Sequence, residues 1–165
     1  QTAKFSEEVE VVVSDNASTD ETKDVVKDAM RLGPVVYSCN QENLGVIHNM
    51  VKVSTELANG RYLWLIGDSH LVTPGAIEYL LDAIKKNLHL NILYGNFRCA
   101  DFEKNWEKFA ERGYDETAGY LGNEEQEDRN VNEWHELIRS SSALCTQSYA
   151  HIIQAEVAKN YWLGK

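Results

Sequence analysis

Residues 9–14 read Val-Glu-Val-Val-Val-Ser, and the next seven, Asp15 to Glu21, read Asp-Asn-Ala-Ser-Thr-Asp-Glu. A short run rich in β-branched residues predicts a buried parallel strand. Acidic and amide side chains then end that strand. Ser18 with Glu21 three places later matches a capping box, which predicts the start of a helix. The stretch therefore predicts a strand, a polar turn and a helix in direct succession.

The same alternation continues to residue 94. Apolar residues at helical spacing predict helices between the strands, and the first of these helices is expected to bury Val25, Val26, Ala29 and Met30 on one face. Further strands are predicted over residues 35–38, 61–66 and 90–94, and Thr73-Pro74 is expected to start the helix between the last two. Strands separated by helices of this length indicate a doubly wound, mostly parallel α/β sheet. Residues 133–163 regain apolar content and are expected to close the domain.

Composition limits the classes of function. The chain has 165 residues, of which 43% are hydrophobic and 25% charged, so it can bury one core. The balance of 16 basic against 26 acidic residues gives a net charge of -10, which argues against a nucleic-acid partner. Three widely spaced cysteines favour a reducing compartment. Without an apolar run of roughly 20 residues, we expect a cytoplasmic protein, at most peripheral at the inner face of a membrane.

Two predicted strands end in residues that can carry chemistry. Asp15-Asn16 follows the first strand, and Gly67-Asp68-Ser69-His70 follows the strand over 61–66. Ligands of open parallel sheets bind at the carboxyl ends of the strands. If both strands are parallel in one sheet, then Asp15, Asp68 and His70 lie at the same edge and converge on one cleft.

Each of these residues has a structural and a functional interpretation. A carboxylate and an imidazole two residues apart could hold one cation, and this donor pair suits Mn²⁺ somewhat better than Mg²⁺. Asp68 and His70 could instead only stabilise a turn, which spacing alone favours. Asp15 could bond its own backbone in a turn, or it could accept the imide N–H of a uracil or thymine ring or contact a ribose. Spacing alone leaves these alternatives open.

Three motifs in order resemble family 2 glycosyltransferases. Residues 10–22 are similar to the strand and acidic turn of that family, and the chain continues with Asn43-Leu44-Gly45, Ala58-Asn59-Gly60 and the segment from Tyr62 to Asp68. These motifs lie within residues 9–95. The Trp-Leu-Ile-Gly-Asp variety is most similar to bacterial abequosyl- or rhamnosyltransferases.

The resemblance implies a GT-A fold, a nucleotide-diphospho-sugar donor and a saccharide or lipid-linked saccharide acceptor, with inversion at the transferred sugar. It implies that Asp15 and Asn16 contact the nucleotide, that Asp68 contacts the ribose or a divalent metal, and that His70 binds the metal, Mn²⁺ or Mg²⁺. His70 takes the last place of a D-x-D motif, where Asp is more common. Residues 9–95 would bind the donor, and residues 96–165 would bind the acceptor within one domain, 1–165.

Two departures from the family pattern qualify these expectations. The usual first strand and its Thr-Tyr-Asn-type loop do not precede residue 9, so the sequence resembles a copy truncated at its N-terminus. An open strand edge of this kind favours self-association into a homo-oligomer. The alternative to an enzyme is therefore an incomplete, non-catalytic module of the same fold that binds a partner.

The catalytic base is the second departure. Inverting members use a carboxylate to deprotonate the acceptor hydroxyl, and four residues are candidates here: Asp101, Glu103, Glu127 and Asp128. A base must lie within hydrogen-bond reach of its proton, and no pattern in the sequence selects one of the four. The base is left unassigned, and Trp106 and Trp134 are candidates for acceptor contacts.

Overall fold

The computed structural model describes residues 1–96 and 151–164, in which strands and helices alternate. The strands are β1 (Val11–Asp15), β2 (Val35–Cys39), β3 (Tyr62–Trp64), β4 (Ile92–Tyr94) and β5 (His151–Gln154). The helices are α1 (Thr22–Met30), α2 (Val46–Lys52), α3 (Ala76–Lys86) and α4 (Ala155–Trp162), with a 3-10 helix at Thr2–Phe5 and a π-helical turn at Val53–Leu57. The predicted α/β class is confirmed, and this order is consistent with a GT-A-like fold.

β1 and β2 are parallel, in register from Val11 opposite Val35 to Asp15 opposite Cys39. The segment containing α1 joins them, because parallel strands need a crossover connection. The carboxyl ends of the two strands are therefore neighbours. There the backbone N–H of Asn40 donates to the carbonyl oxygen of Asp15 at 2.8 Å.

The other strands form a three-stranded sheet in the order β3-β5-β4. Within the residues that the structure describes, β1 and β3 thus belong to different sheets. The strand-pairing argument for a common sheet edge at Asp15 and Asp68 does not apply to this arrangement, and their convergence stays a prediction. A run of β-branched residues indicates that a strand forms, but it does not indicate which strand pairs with it.

The start of α1 corrects the expected capping box. The N-cap residue is Glu21, and no side chain caps it. The backbone N–H of Ser18 donates instead to the Asp15 carboxylate at 2.7 Å, and Asp20 accepts from the N–H of Thr22 at 3.0 Å. Because the strand-end carboxylate holds Ser18 in a turn, the helix begins four residues later than Ser18.

The predicted start of α3 is also displaced. Gly75 is the N-cap residue, with φ of 83°, and the N–H of Ala76 donates to the carbonyl oxygen of Thr73 at 3.1 Å. Thr73 and Pro74 therefore belong to the turn that precedes the helix. A positive φ favours glycine, so Gly75 is the residue that permits this turn.

α2 passes without a break into the π-helical turn. The Ser54 hydroxyl donates to the carbonyl oxygen of Met50 at 2.8 Å, and the Thr55 hydroxyl donates to that of Val51 at 2.8 Å. Such bonds compete with the regular helical ladder and accompany bends and π turns. Ser54 is fully buried, so this widened turn lies inside the packed part of the chain.

The chain divides into two compact units, Gln1–Leu63 with Ile153–Lys165, and Trp64–Ile152. The first contains a small core of buried residues with partly buried valines and an isoleucine around it: Ala58, Leu63, Ala155 and Ala158, packed against Val12, Val53 and Ile153. In the second, Ile77 on α3 is buried. The small side chains at the centre of the first core allow α4 and the π-helical turn to approach closely.

The predicted buried face of α1 is only partly correct. Val26 is buried, whereas Val25 is 65% exposed and Met30 is 46% exposed. Adjacent residues of a helix are separated by about 100° around its axis, so a narrow contact buries only one of the two valines.

None of the helices within residues 1–96 and 151–164 is long and apolar enough to cross a bilayer.

Candidate functional site

Asp15, the last residue of β1, is only 5% exposed. One carboxylate oxygen accepts the backbone N–H of Ser18 at 2.7 Å, and the other accepts the hydroxyl of Tyr37 at 2.6 Å. Ala17, which lies between Asp15 and Ser18, has a φ of 64°, in the left-handed region that lets the chain turn back. The turn-forming interpretation of Asp15 is thus observed. Each carboxylate oxygen has a second lone pair, so a contact with a nucleotide stays a prediction.

These hydrogen bonds fix the charge of Asp15. The Tyr37 hydroxyl, followed by Ser18, lowers the pKa of the Asp15 carboxyl from 3.8 to about 2, although burial opposes the shift. The same bond to Asp15 raises the pKa of the Tyr37 hydroxyl. At neutral pH Asp15 is therefore an anion and Tyr37 is a donor. A fixed carboxylate can accept an N–H group but repels a phosphate.

Asn16 links the end of β1 to the loop before α2. Its Oδ1 atom accepts the backbone N–H of Leu44 at 2.9 Å, and its Nδ2 atom donates to Oδ1 of Asn43 at 2.9 Å. Oδ1 of Asn43 also accepts the N–H of Gly45 at 2.8 Å. Asn16 therefore positions the Asn43-Leu44-Gly45 loop, which the sequence had linked to the acidic turn only through motif order.

Asn40 lies at the centre of the polar contacts beside β1 and β2, and it is 6% exposed. Its Nδ2 atom donates to Oδ1 of Asn16 and to Oδ1 of Asn49, both at 2.9 Å. Its Oδ1 atom accepts Nζ of Lys52 at 2.6 Å. We call Asn16, Asn40, Asn43 and Asn49 the asparagine network. No buried side-chain nitrogen or oxygen in the described part of the chain lacks a hydrogen-bond partner.

Asn49 joins α2 to β1 from the other side. Its Nδ2 atom donates to the carbonyl oxygen of Ser14 at 3.0 Å, and its Oδ1 atom accepts the Ser14 hydroxyl at 2.7 Å. The first turns of α2 thereby contact the last residues of β1 through polar atoms. A network centred on the buried Asn40, in which every member is bonded, favours one arrangement of these elements.

Four members of this region were not predicted from the sequence: Asn40, Asn49, Lys52 and Tyr37. A signal existed for Asn40, since it directly follows a strand, as Asp15 closes the neighbouring one. Asn49 and Lys52 are polar residues three apart in a predicted helix, so they share one side of α2. Tyr37 gives no signal, because a tyrosine in a strand usually indicates packing.

An open cleft of about 390 Å³ borders the asparagine network. It lies at the carboxyl end of β2 and is lined by Cys39, Asn40, Gln41, Glu42, Leu44 and Lys52. Polar and charged side chains predominate, which is a lining suited to a polar ligand.

The loop after β3 contains the other predicted site residues, and it belongs to the second compact unit. β3 ends at Trp64 rather than at Ile66, and Asp68 is exposed. His70 turns back on its own loop: its backbone N–H donates to the carbonyl oxygen of Gly67 at 3.2 Å, and its ring Nδ1 lies 3.1 Å from the N–H of Gly67. The loop therefore fixes the histidine ring through Nδ1.

Gly67 leaves space for this arrangement. A Cβ atom at residue 67 would lie 3.1 Å from Nδ1 and 3.4 Å from Cε1 of His70. Contacts of that length oblige the ring to shift by a few tenths of an ångström. The glycine thus allows the imidazole to pack closely against the loop backbone.

Asp68 and His70 offer the donor types expected for a divalent transition ion. In the rotamer observed, a cation bound by His70 would bind at Nε2, in the tautomer whose Nδ1–H donates to the carbonyl oxygen of Gly67 at 3.3 Å. The described residues contain no group of three or more His, Cys, Asp or Glu side chains arranged around a metal position. A cation held here would therefore depend on ligand oxygens for the rest of its coordination. Asp101, Glu103, Glu127, Asp128, Trp106 and Trp134 lie outside the described residues.

Residues 2–152 match the model of the glycosyl transferase family 2. The match covers most of the chain, which therefore belongs to this family. The suspected resemblance is confirmed, and the class of protein is a glycosyltransferase domain with an α/β fold.

Two curated relatives agree with this assignment. The chain is 36% identical over 80 residues to abequosyltransferase RfbV of Salmonella typhimurium, and this match covers 47% of the chain and 23% of the relative. It is 30% identical over 98 residues to chondroitin synthase of Escherichia coli, and this match covers 59% of the chain and 14% of the relative. The matches thus span less than a quarter of either relative. No solved structure gives a significant match.

Proposed function

We propose that the chain binds a nucleotide-diphospho-sugar and transfers its sugar to a hydroxyl of a saccharide or lipid-linked saccharide. The observation that carries this proposal is the family match over residues 2–152, because it includes both polar loops after β1 and β3. One relative is named for abequosyl transfer and the other for chondroitin synthesis. Sugar transfer is the chemistry common to both names, and the sugar itself is left open.

The two parts of the proposed donor site have different tasks. Asp15 is a fixed anion with spare lone pairs, so it would accept an N–H of the base, and its charge keeps phosphates away. Asn16 has both polar atoms of its amide bonded to Asn40, Asn43 and Leu44. It would therefore act mainly by positioning the loop around the nucleotide.

Asp68 and His70 would hold a divalent cation, Mn²⁺ or Mg²⁺. When bound, such an ion supplies positive charge that stabilises a departing nucleoside diphosphate. Exposure of Asp68 leaves its carboxylate accessible to a cation, and the contact of Nδ1 with Gly67 directs the other ring nitrogen away from the loop backbone. Two protein ligands leave room in the coordination shell for phosphate oxygens.

The reaction balances as a single displacement. The acceptor oxygen forms a bond to the anomeric carbon while the bond from that carbon to the diphosphate oxygen breaks, and the leaving group takes the electron pair. Attack from the opposite face inverts the anomeric centre. The proton of the acceptor hydroxyl passes to a carboxylate, for which Asp101, Glu103, Glu127 and Asp128 remain the candidates.

The absence of disulfide spacing supports a cytoplasmic location.

The test is an incubation of the chain with a panel of nucleotide sugars and Mn²⁺, followed by NMR for released nucleoside diphosphate. We expect release from one nucleotide sugar, and losses of about 100-fold or more in His70→Ala and Asp68→Asn, since metal-borne charge stabilises the transition state. His89→Ala, at an exposed histidine outside this loop, is the matched control and should retain full activity. Binding without any turnover would support the non-catalytic module instead.

A further inference from the structure

The cleft beside the asparagine network contains a half-buried cation. Lys52 lies on the last turn of α2, and its Nζ atom donates to Oδ1 of Asn40 at 2.6 Å. Among the residues that the structure describes, Lys52 forms no ion pair, whereas Lys27, Lys86 and Arg31 each pair with a carboxylate on their own helix or at its end. An ammonium group has three donors, so one bond to an amide leaves its charge uncompensated.

The surroundings make this charge unusual. The chain carries a net charge of -10, so most of its surface repels anions. Lys52 nevertheless lines the open cleft of about 390 Å³. Asn40, which is only 6% exposed, fixes the position of the Lys52 ammonium group. Lysine acts as a point charge in many phosphate sites.

We propose that this cleft binds a phosphate group of the donor through Lys52. The identification of the phosphate rests on the proposed function, which supplies a nucleotide diphosphate as ligand. Asn40 bonds to both Lys52 and Asn16, so the cleft is continuous with the loop that follows Asp15. A ligand that presented N–H donors to the Asp15 carboxylate would carry its negative charge away from that carboxylate and toward Lys52.

Glu42 restricts where in the cleft a phosphate group could bind. Its carboxylate also lines the cleft, and it opposes any anion there. The phosphate must therefore lie nearer to Lys52 than to Glu42. This opposition supplies an internal control, because removing the Glu42 charge should strengthen binding while removing the Lys52 charge weakens it.

Calorimetry with inorganic pyrophosphate tests the site, with a chelator present so that no metal contributes. Lys52→Gln should weaken pyrophosphate binding about tenfold, since it removes a charge-assisted contact. Lys52→Arg should remain within about threefold of the unchanged chain, and Glu42→Gln should bind about threefold more tightly because the repulsive charge is absent. Lys27→Gln, which removes an ion-paired surface lysine, is the matched control and should bind as the unchanged chain does.

A structural role of Lys52 in the network would give a different pattern. It would lower the unfolding midpoint of Lys52→Gln but would leave Glu42→Gln without effect on pyrophosphate. Alkylation of Cys39, mapped by mass spectrometry of its peptide, adds a test of position. Pyrophosphate should slow the reaction of this exposed thiol, which also lines the cleft.

The proposal is overturned by pyrophosphate affinities that are equal in the unchanged chain and in Lys52→Gln, or by unmeasurable binding to the unchanged chain. It is also overturned if glucuronate, a carboxylate probe, binds in a Lys52-dependent way and pyrophosphate does not. The proposed function fails separately. If the chain turns over a nucleotide sugar but Lys52→Gln does not weaken pyrophosphate binding, only the proposed phosphate site is contradicted. If pyrophosphate binding depends on Lys52 but no nucleotide sugar is turned over, only the proposed transferase activity is contradicted.

Discussion

The loops after β1 and β3 are both polar, but they are built in opposite ways. In the first, Asp15 is 5% exposed and both of its carboxylate oxygens accept hydrogen bonds from the protein. In the second, Asp68 is exposed and His70 contacts its own loop at Gly67. The first loop is organised before any ligand arrives, whereas in the second the carboxylate of Asp68 is exposed to solvent. Stability should therefore depend on the first loop, and metal binding should depend on the second.

The largest effect on stability is expected for Asp15→Ala. The change leaves the Tyr37 hydroxyl and the Ser18 N–H without their acceptor in a part-buried position. Each group deprived of its partner costs roughly 1–3 kcal/mol, so the free energy of unfolding should fall by about 3 kcal/mol. Urea denaturation followed by circular dichroism measures it. A loss below about 0.5 kcal/mol would show that the first loop is not organised by Asp15.

The pH dependence of stability should show the same carboxylate. The folded-state pKa of Asp15 is about 2 and lies below its ordinary value of 3.8. The contribution of this carboxylate is therefore complete above about pH 4 and is lost as the pH falls from about 4 to about 2, amounting to about 2 kcal/mol. Denaturation curves of the unchanged chain and Asp15→Asn across this interval provide the comparison. Parallel curves for the two proteins would contradict the assignment.

Asn40→Ala should have the next largest effect. It removes two donated bonds and one accepted bond from a residue that is 6% exposed. We expect the free energy of unfolding to fall by about 2 kcal/mol. Asn59→Ala is the matched control, because Asn59 is exposed and its side chain donates only to the carbonyl oxygen of Leu57. Equal losses in the two variants would remove the central role given to Asn40.

The smallest effect on stability is expected for Asp68→Ala. Its carboxylate is exposed, and substitutions at such positions usually change stability by less than about 0.5 kcal/mol. The same urea titration measures this variant beside Asp15→Ala. A loss as large as that of Asp15→Ala would mean that the two loops do not differ in the way described.

The sequence predicted the elements of this fold better than their contacts. Runs such as residues 9–14 and the apolar period of α3 identify strands and helices, because local pattern decides them. The pairing of β3 with β5 rather than with β1 is a long-range choice that the local pattern does not contain. The π-helical turn after α2 was also missed, since Ser54 and Thr55 act through the carbonyl oxygens of the preceding turn.

The site shows the same division. Asp15 and Asn16 were identified because they follow a strand, and the structure places them in a bonded turn. The partners that fix them, Tyr37 and Asn40, come from the neighbouring strand and the residue after it, so their role depends on the parallel register of β1 and β2. The capping box was wrong for a local reason. The carboxylate of Asp15, three residues earlier, accepts the Ser18 N–H, and this turn takes the place of the capping motif.

Titration of Mn²⁺ by electron paramagnetic resonance, in the presence of UDP, GDP, CDP and dTDP in turn, tests the metal assignment most directly. With one of these nucleotides the unchanged chain and His89→Ala should bind one Mn²⁺ ion saturably, and His70→Ala should lose this binding while its unfolding midpoint stays within about 2 °C of the unchanged chain. Equal Mn²⁺ affinity in His70→Ala and the unchanged chain, or no Mn²⁺ binding with any of the four nucleotides, would contradict the assignment of Asp68 and His70 to a cation.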